Sequence, residues 1–183
     1  RSSKGLRIPW NVREIGAQSV WNEENATGKG IKVAVIDTGI VSTPPLIYAL
    51  AKNSEEELNG LDDDGNGLID DLFGYDFIAN NGYILDSAKT TSHGSSCVGI
   101  IAGRPSKSGL QTAIAPDSKI MLVKGGFNLR SLEYLMTNGA DIVSMSFMIV
   151  NRDLGQIRGL FRNAFEHLSL GGILAVGGAG NYG

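Results

Sequence analysis

Three polar residues stand where an open sheet would gather chemistry. Asp37 closes an apolar run, Ile31-Lys-Val-Ala-Val-Ile-Asp37, that reads as a buried strand and is followed at once by Thr38 and Gly39. Ligands of such sheets collect beyond the carboxyl ends of the strands, which is where Asp37 falls. His93, one of two histidines, sits at a predicted helix start between Ser92 and Gly94. A helix N-terminus disfavours a protonated imidazole, so a general base there needs a carboxylate to hold and stabilise it. Asp37 can supply one if the fold brings the pair together. Asn181 follows a strand-like segment among glycines, and its amide can donate to a developing oxyanion. Each residue alone also has a plain reading: an aspartate capping a turn, a structural histidine, a turn asparagine. His167 lies in an amphipathic pattern and reads as a surface residue.

A second chemistry is written in Asp62-x-Asp64-x-Asn66-Gly67-x-x-Asp70-Asp71, the first half of an EF-hand-type calcium loop. Oxygen ligands alternate, Gly67 stands at the sharp turn, and Leu68 would offer its carbonyl. The bidentate glutamate of the last loop position is replaced by Phe73, so Asp70 or Asp71 would have to compensate. The alternative is a solvated acidic turn.

These residues need a scaffold. Residues 8–25 carry Ile15, Val20 and Trp21 at loosely helical spacing, and residues 44–58 read as a short helix opened by two prolines. Residues 75–78 are a brief strand, and Ser92 caps a helix from His93 to about Ala102. Residues 119–124, 141–145 and 173–176 are further apolar strands. Residues 129–138 and 155–170 are helices, each closed by glycine. Alternating strands and helices predict an α/β fold with a mainly parallel sheet covered by helices, in one domain without repeats or linkers.

At 183 residues the chain is long enough for a sizeable core, and 42% hydrophobic with 19% charged residues fits a soluble globular class. A net charge of −3 gives no reason to expect nucleic acid or an anionic membrane as partner. No apolar run approaches the roughly 20 residues of a membrane span. Arg1-Ser-Ser-Lys-Gly5 has no apolar signal-peptide core. A single cysteine excludes an internal disulfide.

Taken together, the segments resemble the subtilisin-like serine proteases, the subtilases. Val35-Ile-Asp-Thr-Gly39 is similar to the family's catalytic aspartate motif, and Ser92-His-Gly-Ser-Ser-Cys-Val-Gly-Ile-Ile-Ala-Gly103 to its histidine motif. Ile114-Ala-Pro-Asp-Ser-Lys-Ile-Met-Leu-Val-Lys124 resembles the strand after it, and Ala140-Asp-Ile-Val-Ser-Met-Ser146 the segment lining the substrate cleft. Ala175-Val-Gly-Gly-Ala-Gly-Asn-Tyr-Gly183 resembles the oxyanion-hole motif. The resemblance implies that Asp37 orients the imidazole, His93 is general base and then acid, and Asn181 stabilises the oxyanion. It implies that Ser146, Phe147, Gly178 and Gly180 flank a peptide or protein substrate bound as an added strand. Cys97 falls where some subtilases carry a free cysteine beside the histidine. Helices on both faces of the sheet, structural calcium and a secreted or cell-surface location are further expectations from the family.

The departures are equally specific. The family's nucleophilic serine lies in a Gly-Thr-Ser motif well beyond the oxyanion asparagine, and no serine here matches it. Residues 1–183 then read as the N-terminal portion of one peptidase domain, its sheet incomplete on the C-terminal side. Such a chain would associate with the missing C-terminal part or with another copy, and alone would be nearly inactive. Ser96 replaces a second histidine, Met148-Ile-Val stands where glycines form a pocket wall, and residues 124–141 are shortened. A second family calcium site is lost at Pro44-Pro-Leu46. Two other readings stand beside the protease: a non-catalytic calcium-binding scaffold of subtilase type, and an aspartic protease, whose Asp-Thr-Gly signature is shared but whose domains are nearly all β.

Overall fold

The computed structural model describes residues 7–87, 92–147 and 158–181. At its centre lies β1 (Lys32–Asp37), flanked by β3 (Lys119–Lys124) on one side and β4 (Ile142–Met145) on the other. β2 (Gly74–Asp76) adds outside β3 and β5 (Leu174–Gly177) outside β4, so the order is β2-β3-β1-β4-β5 and all pairings are parallel. Central parallel strands are covered on both faces and read as continuous apolar runs. Val33, Ala34, Val35 and Ile36 are accordingly all buried.

The period of two along β1 divides the core. Ala34 and Ile36 join Met121, Val123, Leu135 and Leu168, on the side of α5 (Leu129–Thr137) and α6 (Arg158–Leu170). Val33 and Val35 join Ile120, Leu122, Leu46 and Val98, on the side of α3 (Pro44–Ile47) and α4 (His93–Ala102). The sheet therefore has helices on both faces. α4 is capped as its sequence predicts, and α5 has a cap that the sequence reading did not name. Ser92 Oγ accepts from the Ser95 amide at 3.3 Å, and Asn128 forms a reciprocal box with Ser131 ahead of α5.

Two of the expected helices differ from expectation. The pattern over residues 8–25 is two short helices, α1 (Trp10–Glu14) and α2 (Ala17–Glu23), parted at Gly16 with φ +73°. The helix expected over 44–58 ends at Ile47. Beyond it Leu50 bridges to Ile120, the Ala51 amide donates to the Ile120 carbonyl at 2.7 Å, and the Asn53 amide donates to that of Leu72. A longer helix would also place Glu55, Glu56 and Glu57 at its negative C-terminal end. α6 begins at Arg158, and residues 155–157 of the expected helix lie outside the described residues, as do Met148, Ile149 and Val150. β5 is an edge, with all four residues exposed. Among the described residues no helix is long and apolar enough to cross a membrane.

Candidate active site

β1 delivers Asp37 to the carboxyl edge of the sheet, and α4 starts directly behind it. Their junction is unusually close. A Cβ on Gly94 would lie 2.2 Å from the Gly39 carbonyl oxygen and 3.2 Å from Asp37 Cβ. Glycine at 94 is thus what lets the helix start against the strand end. The seam is stitched by hydrogen bonds: the Val41 amide to Ser95 Oγ at 2.8 Å, the Gly94 amide to Thr38 Oγ1 at 3.3 Å, and Ser92 Oγ to the Gly39 carbonyl at 3.4 Å.

The seam puts His93 Nδ1 2.9 Å from both carboxylate oxygens of Asp37. The Asp37 side chain is 3% exposed and the His93 ring 57%. A carboxylate only accepts, so Nδ1 carries the hydrogen, and in the neutral ring the lone pair is then on Nε2. The Thr38 amide also donates to Asp37 Oδ1 at 2.7 Å, holding the carboxylate in place. Such an arrangement is chemically able to serve as an oriented general base.

Cys97 lies one turn along α4, its Sγ 3.9 Å from His93 Nδ1. Burial pushes its thiol up, the Ser146 hydroxyl pulls it down, and the charge of Asp37 adds to the upward push, so the net direction is upward. Cys97 is thereby kept as a thiol and is no ready nucleophile. The same contact brings Ser146, just past β4, into the site. A cavity of about 280 Å³ opens beside the pair, lined by Ile36, Asp37, Thr38, Gly125, Gly126, Phe127 and Phe147. Phe127 stacks on Phe161 and Phe165, with centroids 5.4 and 5.5 Å away. Sequence reasoning placed Phe147 here but missed Phe127, whose only signal was its position in the shortened segment.

The Gly178 amide donates to the Met145 carbonyl at 3.0 Å, extending the β4–β5 pairing toward the site. Gly180 has φ +92°, and Asn181 follows it, exposed, at the same carboxyl edge as Asp37. His167 lies on α6 with Nδ1 2.8 Å from the Asn163 carbonyl, an exposed surface residue.

The acidic loop is folded by its own carboxylates. Asp62 accepts from the amides of Asn66 and Gly67, and Asp64 from the amide and side chain of Asn66. Asn66 Oδ1 in turn accepts from the Leu68 amide at 2.8 Å. Asp70 Oδ1 accepts instead from the amides of Asn59 and Gly60, both at 2.9 Å. Asp71 is fully buried. Burial pushes its carboxyl up, hydrogen bonds from Tyr134 and Asn66 oppose this, and the charges of Asp64 and Glu56 add to the rise. Glu56, which the spacing did not single out, is 1% exposed; its Oε1 accepts from the amides of Asp63 and Asp64 at 2.7 and 3.1 Å. Carboxylate oxygens of Glu56, Asp62 and Asp64 lie within 4.8 Å of one another. This all-oxygen donor set suits a hard cation such as calcium.

Known proteins resemble this chain over most of its length. Subtilisin-like protease 1 of Plasmodium berghei (strain Anka) is 29% identical over 162 residues, 82% of this chain and 26% of that protein. The major intracellular serine protease of Bacillus subtilis (strain 168) is 29% identical over 186 residues, 96% of this chain and 50% of that one. The chain thus spans from about a fifth to a half of the length of the curated relatives it matches. Fervidolysin from Fervidobacterium pennivorans, a keratinolytic enzyme related to subtilisin, shares the fold with a TM-score of 0.59 and 21% identity, over 95% of this chain and 24% of its own. The subtilase family model matches residues 28–183. That match runs from the glycine turn ahead of β1 to the last residue, and on it the chain belongs to the subtilase family.

Proposed function

We propose that this chain is the aspartate-, histidine- and asparagine-bearing portion of a subtilisin-type serine endopeptidase, with the nucleophilic serine supplied from outside residues 1–183. The observation that carries the reading is the buried Asp37 carboxylate 2.9 Å from His93 Nδ1. With Nδ1 so engaged, Nε2 takes the proton of an attacking serine hydroxyl and later gives it to the leaving amine. Asp37 holds the tautomer and stabilises the imidazolium that forms. Asn181 donates to the oxyanion of the tetrahedral intermediate. Ser146 and Phe147 on one side, with Gly178 and Gly180 on the other, border an extended peptide laid along the sheet edge. We further propose that calcium is held by the loop through Asp62, Asp64, Asn66 and the Leu68 carbonyl, with Asp71 beside them, while Asp70, expected as a ligand, is engaged by the Asn59 and Gly60 amides.

The test is active-site labelling of the full-length protein with a fluorophosphonate probe. Labelling is expected in the wild type and absent in His93→Ala. Turnover of a peptide substrate should fall on the order of 10⁶-fold, the loss measured for the same change in subtilisin, a member of this family. A folded full-length protein that takes up no probe at neutral pH would favour the calcium-binding scaffold instead.

A further inference from the structure

Glu56 poses a problem that the protease reading does not touch. It lies six residues ahead of Asp62, outside the calcium-type loop, in a run of three glutamates that invites reading as a solvated surface. Glu55 and Glu57 are exposed, while Glu56 is buried. The amides of Asp63 and Asp64 grip Oε1 and aim the carboxylate into the loop. Oε2 is buried and has no hydrogen-bond partner among the described residues. Folded proteins rarely leave a buried carboxylate oxygen unmatched, because its lost hydration must be replaced by a donor or a cation.

Among the described residues no group donates to Oε2, and the neighbouring side chains of Asp62 and Asp64 are acidic. An oxygen from each of Asp62 and Asp64 lies with Glu56, all within 4.8 Å. Oxygens that share one calcium at 2.3–2.6 Å can stand no more than about 5 Å apart, so the three fit around a single ion. We infer that Glu56 is a ligand of the loop's calcium, supplying from outside the loop the carboxylate that Phe73 leaves missing at its last position. The inference rests on the calcium reading above and adds to it a residue that the motif does not contain. Asp70 is correspondingly free to hold the amides of Asn59 and Gly60. The ion then ties residues 53–58 to the loop, where Asn53 Nδ2 already donates to Asp64 at 2.9 Å and to Asp71 at 3.4 Å.

Calcium titration calorimetry on the full-length protein tests this with Glu56→Gln, Asp62→Asn and Asp70→Asn. Glu56→Gln and Asp62→Asn should weaken the same site at least about tenfold, since affinity follows ligand charge. Asp70→Asn should stay within about threefold of wild type. Wild-type affinity in Glu56→Gln alongside a loss in Asp62→Asn would overturn the role of Glu56 and leave the loop ion standing. A titration that none of the three alters, or no calcium uptake at all, would overturn both. Hydrogen exchange of the wild type with and without chelator serves if Glu56→Gln fails to fold. Protection of the Asp63 and Asp64 amides and of residues 53–58 should be lost on chelation. A change confined to residues 65–71 would refute the inference.

Discussion

At the scale of single residues, the dyad depends on a side chain that is absent. Gly94 lets α4 begin in contact with Gly39 and Asp37, and only that closeness gives His93 its two 2.9 Å contacts. Gly94→Ala forces a methyl group against a backbone carbonyl, where no flexible side chain can give way. Overpacking of this kind costs roughly 1–3 kcal/mol. The helix start is expected to move away from β1, so the loss of the proposed peptidase activity in the full-length protein should exceed what the stability loss explains. Denaturant unfolding and peptide hydrolysis on the same samples check this. Unchanged hydrolysis with reduced stability would show that the seam does not set the dyad. Asp37, His93 and Asn181 were legible as residue types at strand and helix ends. Gly94 was legible only as a flanking glycine, because a close approach is a property of two segments together. Glu56 was hidden in the same way: its neighbours in sequence are solvated, and its burial is decided by amides seven and eight residues on.

Among elements, those with strong local signals stand where the sequence puts them. β1, β3, α4 and α5 combine an unbroken apolar pattern with caps or a polar stop, so local and tertiary preferences agree. The segment after Pro44 lacks that agreement, and pairing of Leu50 and Ala51 with β3 overrides its helical appearance. Lys124, at the end of β3, shows how an element end can organise a loop. Its Nζ pairs with Asp76 Oδ2 at 3.1 Å and donates to the carbonyls of Leu85 at 3.0 Å and Tyr83 at 3.4 Å. Burial pushes the Asp76 carboxyl up, but the amides of Ala79 and Ile78 together with Lys124 outweigh it and hold it below the ordinary range. A depressed carboxyl stabilises the fold above its unfolded value, near pH 4, and that contribution fades as pH falls through the folded value. Lys124→Met strands a buried carboxylate and should cost about 3–5 kcal/mol near neutrality. The difference from wild type should shrink between pH 4 and pH 2, followed by urea unfolding. A difference independent of pH would mean that the ion pair is not its source.

For the molecule as a whole, the two edges of the sheet are unequal. β2 is short and its three residues are buried, whereas β5 exposes Leu174 by 61% and Val176 by 50%, beside Leu170 at 86%. An edge strand with apolar side chains and unpaired backbone groups is a template for another strand. β5 also leads into Gly178, Gly180 and Asn181, so whatever pairs there borders the proposed oxyanion site. We expect residues 1–183, expressed alone, to associate through this edge, either with the rest of a peptidase domain supplied in trans or with a second copy. Light scattering over a concentration series should show mass rising with concentration. Val176→Lys places a charge on that edge without touching the dyad, and should shift the chain toward monomer. A wild-type chain whose mass stays that of one copy at every concentration, and that binds no supplied remainder, would refute the expectation.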